Sequence, residues 1–175
     1  MATAGGRLTD MRISRDEWGL ELAKVTARRG TCCRRQVGCV LVDKDGHVLS
    51  TGYNGVAAGL PHCNSEQPML HLDRSIEITY PNACAGAKSP SGTNLDSCQA
   101  IHAEQNALLQ CKDVREVHTC YVTCSPCVTC VKLLMNTGCR RIVFGEVYPH
   151  SDAKNLWLLT PGREWHLVVG GKTYE

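Results

Sequence analysis

The chain has 175 residues, 43% apolar and 21% charged, with 16 Gly, 7 Pro and a formal charge of +2, which excludes global disorder and predicts a single domain, residues 1–175, with a buried core. The charge is too mild and the aromatics (3 Trp, 5 Tyr and 1 Phe) too few to mark a nucleic-acid surface. No apolar run approaches the roughly 20 residues of a membrane helix, and Met1 to Asp10 lacks the apolar block of a secretory signal, so no membrane partner and a cytoplasmic location are expected.

In chain order, the first element is a helix over about Ser14 to Arg29. Ser14 and Glu17 have capping-box spacing, Trp18, Leu22 and Val25 recur at helical spacing, and Gly30 stops it. Two apolar runs, Val37 to Val42 and Val48 to Tyr53, flank Asp43-Lys44-Asp45-Gly46 and predict a hairpin. From Gly55 to about Gln99 the pattern dissolves into a long loop insert at about 56–99, of a length that implies something staples it. Then follow a helix from Ile101 through Leu109, a strand at Val117 to Thr123, a helix over Cys127 to Thr137 stopped by Gly138, and a strand at Arg141 to Phe144. A short helix at Ala153 to Leu159 and a strand at Trp165 to Val169 close the pattern. A hairpin followed by strand–helix alternation predicts an α/β fold, a mixed sheet covered by helices.

Twelve cysteines are the unusual feature. A disulfide framework belongs to small secreted chains without a core, so reduced thiols are expected here, some as metal ligands and some as small core residues. Cys39, inside an apolar run, and Cys139, after Gly138, read as core.

Two segments carry chemistry: His102-Ala103-Glu104 and Pro126-Cys127-Val128-Thr129-Cys130, each at a helix start. Cys127 and Cys130 are three positions apart, so their thiolates share one helical face, and a helix N-terminus favours the deprotonated form. With His102 they make an N,S,S set that leaves the fourth position of Zn²⁺ open, as catalysis requires. Zinc brings the pKa of a bound water from about 16 toward 7, and Glu104 beside it has the chemistry of a proton shuttle. A redox pair at Cys127 and Cys130 would leave His102 and Glu104 idle, while a zinc-stapled interaction module would not explain Glu104. The ordered pattern H-x-E then P-C-x-x-C matches the zinc nucleobase-deaminase signature.

Gly52-Tyr53-Asn54-Gly55, Gly59-Leu60-Pro61-His62-Cys63, His102-Ala103-Glu104-Gln105-Asn106-Ala107 and Ser125-Pro126-Cys127-x-x-Cys130 together resemble the deoxycytidylate (dCMP) deaminases of bacteria and phages, over roughly Ser14 to Tyr148. The resemblance implies a three-layer α/β/α sandwich around a mixed five-stranded sheet. It implies conversion of dCMP to dUMP and ammonia, which supplies dUMP for dTMP synthesis, with His102, Cys127 and Cys130 as ligands of the catalytic zinc and Glu104 as the catalytic proton shuttle. Substrate contacts implied are the main-chain N–H of Ala103 to the pyrimidine carbonyl, Asn54 to the sugar hydroxyl, and Tyr148 near the base. Arg35 is the candidate for the phosphate, with Arg34 its rival, and Asn54 also reads as a plain turn residue.

Some members of the family hold a second, structural zinc. Cys32 and Cys63 match two of its positions, Cys98 resembles a further one, and Cys84 or His71 would complete the set. The resemblance also implies activation by dCTP and inhibition by dTTP with Mg²⁺, an effector site at Gly52, Tyr53, Asn54 and Gly55, and a homo-oligomer, usually a hexamer. Alternative substrates are deoxycytidine, tRNA adenosine or cytosine in a nucleic acid, the polymers being disfavoured by the mild charge. The segment after Tyr148 carries no motif.

Overall fold

The computed structural model describes residues 12–70, 73–79, 81–90, 93–94, 97–148 and 151–174. Ser14 opens a helix as its spacing predicts. Its hydroxyl accepts the N–H of Glu17 (3.1 Å) while the Glu17 carboxylate accepts the N–H of Ser14 (3.0 Å), which starts α1 (Arg15–Ala27). The apolar spacing of Trp18 and Val25 does not mark the buried face, for these two are 38% and 61% exposed. The buried residues are Gly19, Leu20, Ala23 and Ala27. Close packing selects small side chains there: a Cβ on Gly19 would strike the ring of Tyr121, and Gly38 lies against the main chain of Ala23 and Ala27.

The hairpin forms from β1 (Gly38–Val42) and β2 (Val48–Tyr53), turned at Gly46 with φ +92. The insert follows, and it is not structureless. It leaves the core at β3 (Gly55–Val56), contains an antiparallel pair β4 (Gln67–Leu70) and β5 (Ile76–Thr79), and returns at β6 (Ala100–Ile101), which pairs with β3. The alternation Ile76-Glu77-Ile78-Thr79 was the available strand signal, hidden by Pro68 in the partner strand and by the surrounding Pro, Gly and Ser.

After α2 (Ala103–Gln110) the chain alternates through β7 (Thr119–Cys124), α3 (Val128–Met135), β8 (Arg141–Glu146), α4 (Ser151–Leu158), β9 (Glu164–Val169) and β10 (Lys172–Tyr174). The main sheet runs in the order β10-β9-β8-β7-β1-β2. β7, β8 and β9 are parallel, and the other neighbours are antiparallel. The mixed three-layer α/β sheet expected from sequence is therefore present, with six strands in place of five. The extra strand is β10, turned back by Gly170 and Gly171, whose φ values of +56 and +76 suit a two-residue hairpin turn.

Alternation along the strands divides the core into two layers. Val40, Val42, Tyr121, Val143 and Val168 face Leu20 and Ala23 of α1. Cys39, Leu41, Cys120, Val122, Ile142 and Phe144 face the other way, toward α2, α3 and α4. α3 and α4 connect parallel neighbours, and right-handed crossovers put both on the same side. Cys39 and Cys139 are fully buried as expected, and all twelve cysteines are free thiols. The segment after Tyr148 is structural: Trp157 is fully buried, its indole N–H donating to the carbonyl of Glu164 (2.9 Å). Among the described residues no helix is long and apolar enough to cross a membrane.

Candidate active site

Two helix starts meet beside the end of β7. Cys124 ends the strand, Ser125-Pro126 turn the chain, and Cys127 stands immediately before α3 with Cys130 in its first turn. His102 stands immediately before α2 in the same way. The His102 Nδ1 lies 3.5 Å from the Cys127 Sγ and 3.4 Å from the Cys130 Sγ. Each ligand atom is within 4.8 Å of the others. The side chain of Gln105 accepts the His102 N–H (2.9 Å), which fixes the entry to α2. α2 is in turn pinned to β2: Ser50 donates to the Ala107 carbonyl (2.8 Å), Asn106 donates to the Tyr53 carbonyl (2.8 Å), and Gly52 lies against the main chain of Ala103 and Ala107.

The electrostatics are those of a cation site. The Cys130 thiol next to Cys127, together with His102, holds the Cys127 thiol down at about 3 despite its burial. Cys130 is pushed up by sharing its proton with Cys127 and by burial. The hydrogen bond to Cys127 raises His102, and burial raises Glu104, which is 4% exposed. One thiolate is thus already favoured, and a divalent cation would displace the second proton. One nitrogen and two sulfurs this close, with a carboxyl beside them, fit Zn²⁺ with one position open. The other group among the described residues whose ligand atoms all lie within 4.8 Å of one another, Asp43, Asp45 and His47, is a largely exposed turn. Its Asp43 carboxylate is spent on the N–H groups of Asp45 and His47.

Residues 13–146 match the family model described as the cytidine and deoxycytidylate deaminase zinc-binding region. The chain belongs to this family. Among similar proteins, the deoxycytidylate deaminase of Schizosaccharomyces pombe is 33% identical over 141 residues, covering 78% of this chain and 38% of that one. The deoxycytidylate deaminase of Mycobacterium phage D29 is 37% identical over 133 residues, 74% of this chain and 92% of that one. The chain therefore spans less than two-fifths of the length of the yeast relatives but nearly all of the phage one. The crystal structure of dCMP deaminase from the cyanophage S-TIM5 in complex with dCMP and dUMP has the same fold, with a TM-score of 0.62 at 23% identity over 91% of this chain and 100% of that one.

In this member of the deaminase family one pocket collects His102, Cys127, Glu104, Ala103, Asn54, Tyr148, Arg34 and Arg35, with Cys130 fully buried behind them. The first-turn N–H groups of α2, Ala103 included, have no carbonyl to bond within the helix, as an acceptor site needs. Asn54 is engaged with main chain: its Oδ1 accepts the Val37 N–H (2.8 Å) and its Nδ2 donates to the Arg35 carbonyl (2.7 Å). Arg35 donates to the Cys124 Sγ (2.8 Å) and lies 3.6 Å from the Glu146 carboxylate. The N–H of Tyr148 donates to the Ser125 hydroxyl (2.7 Å), so Ser125 sets the tyrosine's place at the rim. Cys124, Ser125 and Gln105 shape the site without having been assigned roles from sequence. Their signal was adjacency to the motif residues, which says nothing about which partner each would find.

Of the cysteines expected to bind a second zinc, three share one small cluster. Cys63 and Cys84 are buried together with Cys98 against them, and Cys32 is buried at the edge of the catalytic pocket. Burial would raise the Cys84 thiol, but the N–H groups of Gln99 and Ala87 and the thiols of Cys63 and Cys98 outweigh it and lower its pKa. The thiols of Cys63 and Cys98, by contrast, are raised, first by burial. His71 lies outside the described residues. Of Gly52, Tyr53, Asn54 and Gly55, Tyr53 and Gly55 line a second cavity with Thr31, His62, Asn106 and Gln110, whereas Asn54 lines the first and Gly52 is packed under α2. The Thr31 hydroxyl is buried without a hydrogen-bond partner.

Proposed function

We propose that this chain deaminates dCMP hydrolytically to dUMP and ammonia, supplying dUMP for dTMP synthesis. The observation that carries the reading is the buried Glu104 carboxyl beside three zinc donors, in a pocket whose wall also holds two arginines. The deoxycytidylate deaminases among its relatives favour the nucleotide as substrate. Bound to His102, Cys127 and Cys130, zinc would supply a polarised, easily deprotonated water. The chain's residues do the rest. The Ala103 N–H holds the pyrimidine carbonyl, and Tyr148 covers the base. Asn54 holds the stretch 35–37, just before β1, that carries Arg35, with lone-pair and N–H capacity left for a sugar hydroxyl. Arg35 faces the phosphate. Glu104 takes a proton from the water, passes it to the ring N3, and returns one to the leaving amine as the C4–N bond breaks and the C4–O bond forms.

The same reading gives Cys32, Cys63, Cys84 and Cys98 a second, structural zinc, supported by the mutual influence of their thiols. It assigns the second cavity to a dCTP or dTTP effector with Mg²⁺, supported by the unpartnered Thr31 hydroxyl. It also makes the enzyme a cytoplasmic homo-oligomer, a hexamer, supported by the exposed Leu109 and Leu133 on the α2–α4 layer. The deciding experiment is ammonia release from dCMP and deoxycytidine side by side, with and without dCTP and Mg²⁺. Turnover of dCMP alone supports the reading. Turnover of deoxycytidine alone retains the zinc chemistry but removes Arg35 from its role, and silence on both from zinc-loaded protein rejects the substrate.

A further inference from the structure

The arginine next to the proposed phosphate contact is occupied in a different way. The Arg34 Nη1 donates to the carbonyl of Gly86 at 2.5 Å, and the carbonyls of Thr93 and Pro90 lie 3.3 and 3.4 Å from the same nitrogen. A single cationic nitrogen thus gathers three main-chain oxygens of the insert, from residues 52 to 59 positions away in sequence. The turn it holds is packed on the catalytic wall. Gly86 donates to the Ser97 carbonyl (3.1 Å), and a Cβ at Gly86 would strike the main chain of Cys98. Cys98 leads through Ala100 to His102, Ala103 and Glu104, and all five line the pocket. From the stretch between α1 and β1, Cys32, Arg34, Arg35 and Val37 line the same pocket. Arg34 is therefore the cross-tie between the two stretches that form the pocket wall, one entering the insert's thiol cluster at Cys32 and the other leaving it at Cys98.

We propose that Arg34 is a positioning residue for the reaction: it fastens the turn at Gly86 to Pro90 against Cys98, and so fixes the wall that substrate meets. This rests on the deaminase reading for its kinetic consequence but not for the anchoring itself. A guanidinium is suited to the task because its charge is permanent and its donors are fixed in a plane. A lysine at the same place offers one point charge on a flexible stem. Without either, three carbonyls lose their shared donor and the turn opens more often, exposing Cys84 and Cys98. A phosphate contact at Arg34 predicts something else, namely damage confined to the nucleotide substrate and no change in the thiols.

The test uses the full-length, zinc-loaded protein with Arg34→Ala and Arg34→Lys, two readouts and two substrates. Alkylation by iodoacetamide is followed residue by residue by mass spectrometry, and kcat and KM are measured on dCMP and deoxycytidine. For Arg34→Ala, Cys84 and Cys98 are expected to react at least about tenfold faster, while Cys111, beyond the far end of α2, keeps its rate. KM is expected to rise about tenfold for both substrates, with kcat changed by less than about threefold. Arg34→Lys should fall between wild type and alanine in both readouts, which guards against a variant that merely misfolds. Unchanged alkylation of Cys84 and Cys98 in both variants overturns the proposal, and a KM rise limited to dCMP with unchanged thiols assigns Arg34 to the phosphate instead. If wild-type protein turns over neither substrate, the deaminase reading fails, and the alkylation rates alone still decide for or against the anchoring.

Discussion

His102, Cys127 and Cys130 stand at the starts of two helices, whereas Cys32, Cys63, Cys84 and Cys98 stand on separate stretches of loop. The first group is placed by the core. α2 is pinned to β2, α3 buries Val131 and Leu134 against the sheet, and the three donors would converge whether or not a cation were present. The second group has less regular structure behind it: the short β3–β6 ladder, the Arg34 contacts and its own small cluster. The difference is one of dependence. A site carried by helices selects its metal, while a site carried by loops gains part of its shape from the metal.

The sharpest way to break this contrast is at Glu104. Replacing it with alanine is expected to cost about 10³-fold or more in kcat, within or above the range of general acid–base catalysis, while the zinc held by His102, Cys127 and Cys130 stays in place by elemental analysis. A variant with near wild-type kcat ends the shuttle role. Next comes Cys127→Ala, for which both activity and one zinc equivalent are expected to be lost with little change in melting temperature, since the helix starts do not need the ion. Retention of all metal would reject the ligand. Cys84→Ser sharpens the other half, because the second zinc proposed above requires loss of one zinc equivalent, a clear fall in melting temperature, and activity reduced through KM more than kcat. Equal thermal effects at Cys84 and Cys127 would erase the distinction drawn here.

Smaller effects probe what holds the first group. Gly52→Ala drives a methyl into the main chain of Ala103 and Ala107, with an expected cost of about 1–3 kcal/mol from overpacking, readable in urea titration, and a lower kcat because α2 carries Glu104. Wild-type values for both would show that α2 is not seated on that glycine. The smallest effect lies on the opposite face. Burial and the neighbouring Asp16 carboxylate, which accepts the phenol proton at 3.0 Å, push the Tyr121 hydroxyl up to about 12. Ionising the phenol is then easier in the unfolded chain, so stability is full below about pH 10 and declines toward pH 12. Tyr121→Phe should flatten that decline, and an unchanged alkaline profile would remove Tyr121 as its source.

Much of this was legible in the sequence for a physical reason. Capping at Ser14, the Asp43–Gly46 turn and the paired motifs at His102 and Cys127 are local patterns, and local chemistry survives folding nearly intact. What was not legible depends on partners far away in the chain. Trp18 and Val25 carry the helical period of α1 but face solvent, because Gly19 and Tyr121 set how closely the helix lies. Arg34 and Arg35 are neighbours of identical type, and only their separate partners, the Gly86 carbonyl and the Cys124 sulfur, tell them apart. β10 is three residues long and follows two glycines, too short a signal to stand out.

The two-residue ladder between β3 and β6, pairing Gly55 with Ile101 and Val56 with Ala100, has one more consequence. It closes the insert at its root, so the excursion is a ring hung from a fixed clasp. Lengthening such a ring adds only logarithmically to the entropy of closing it, about 0.6 kcal/mol per doubling. Evolution or an engineer is thus at liberty to trade one ring for another without moving Glu104, and each exchange re-cuts the wall that meets the incoming molecule.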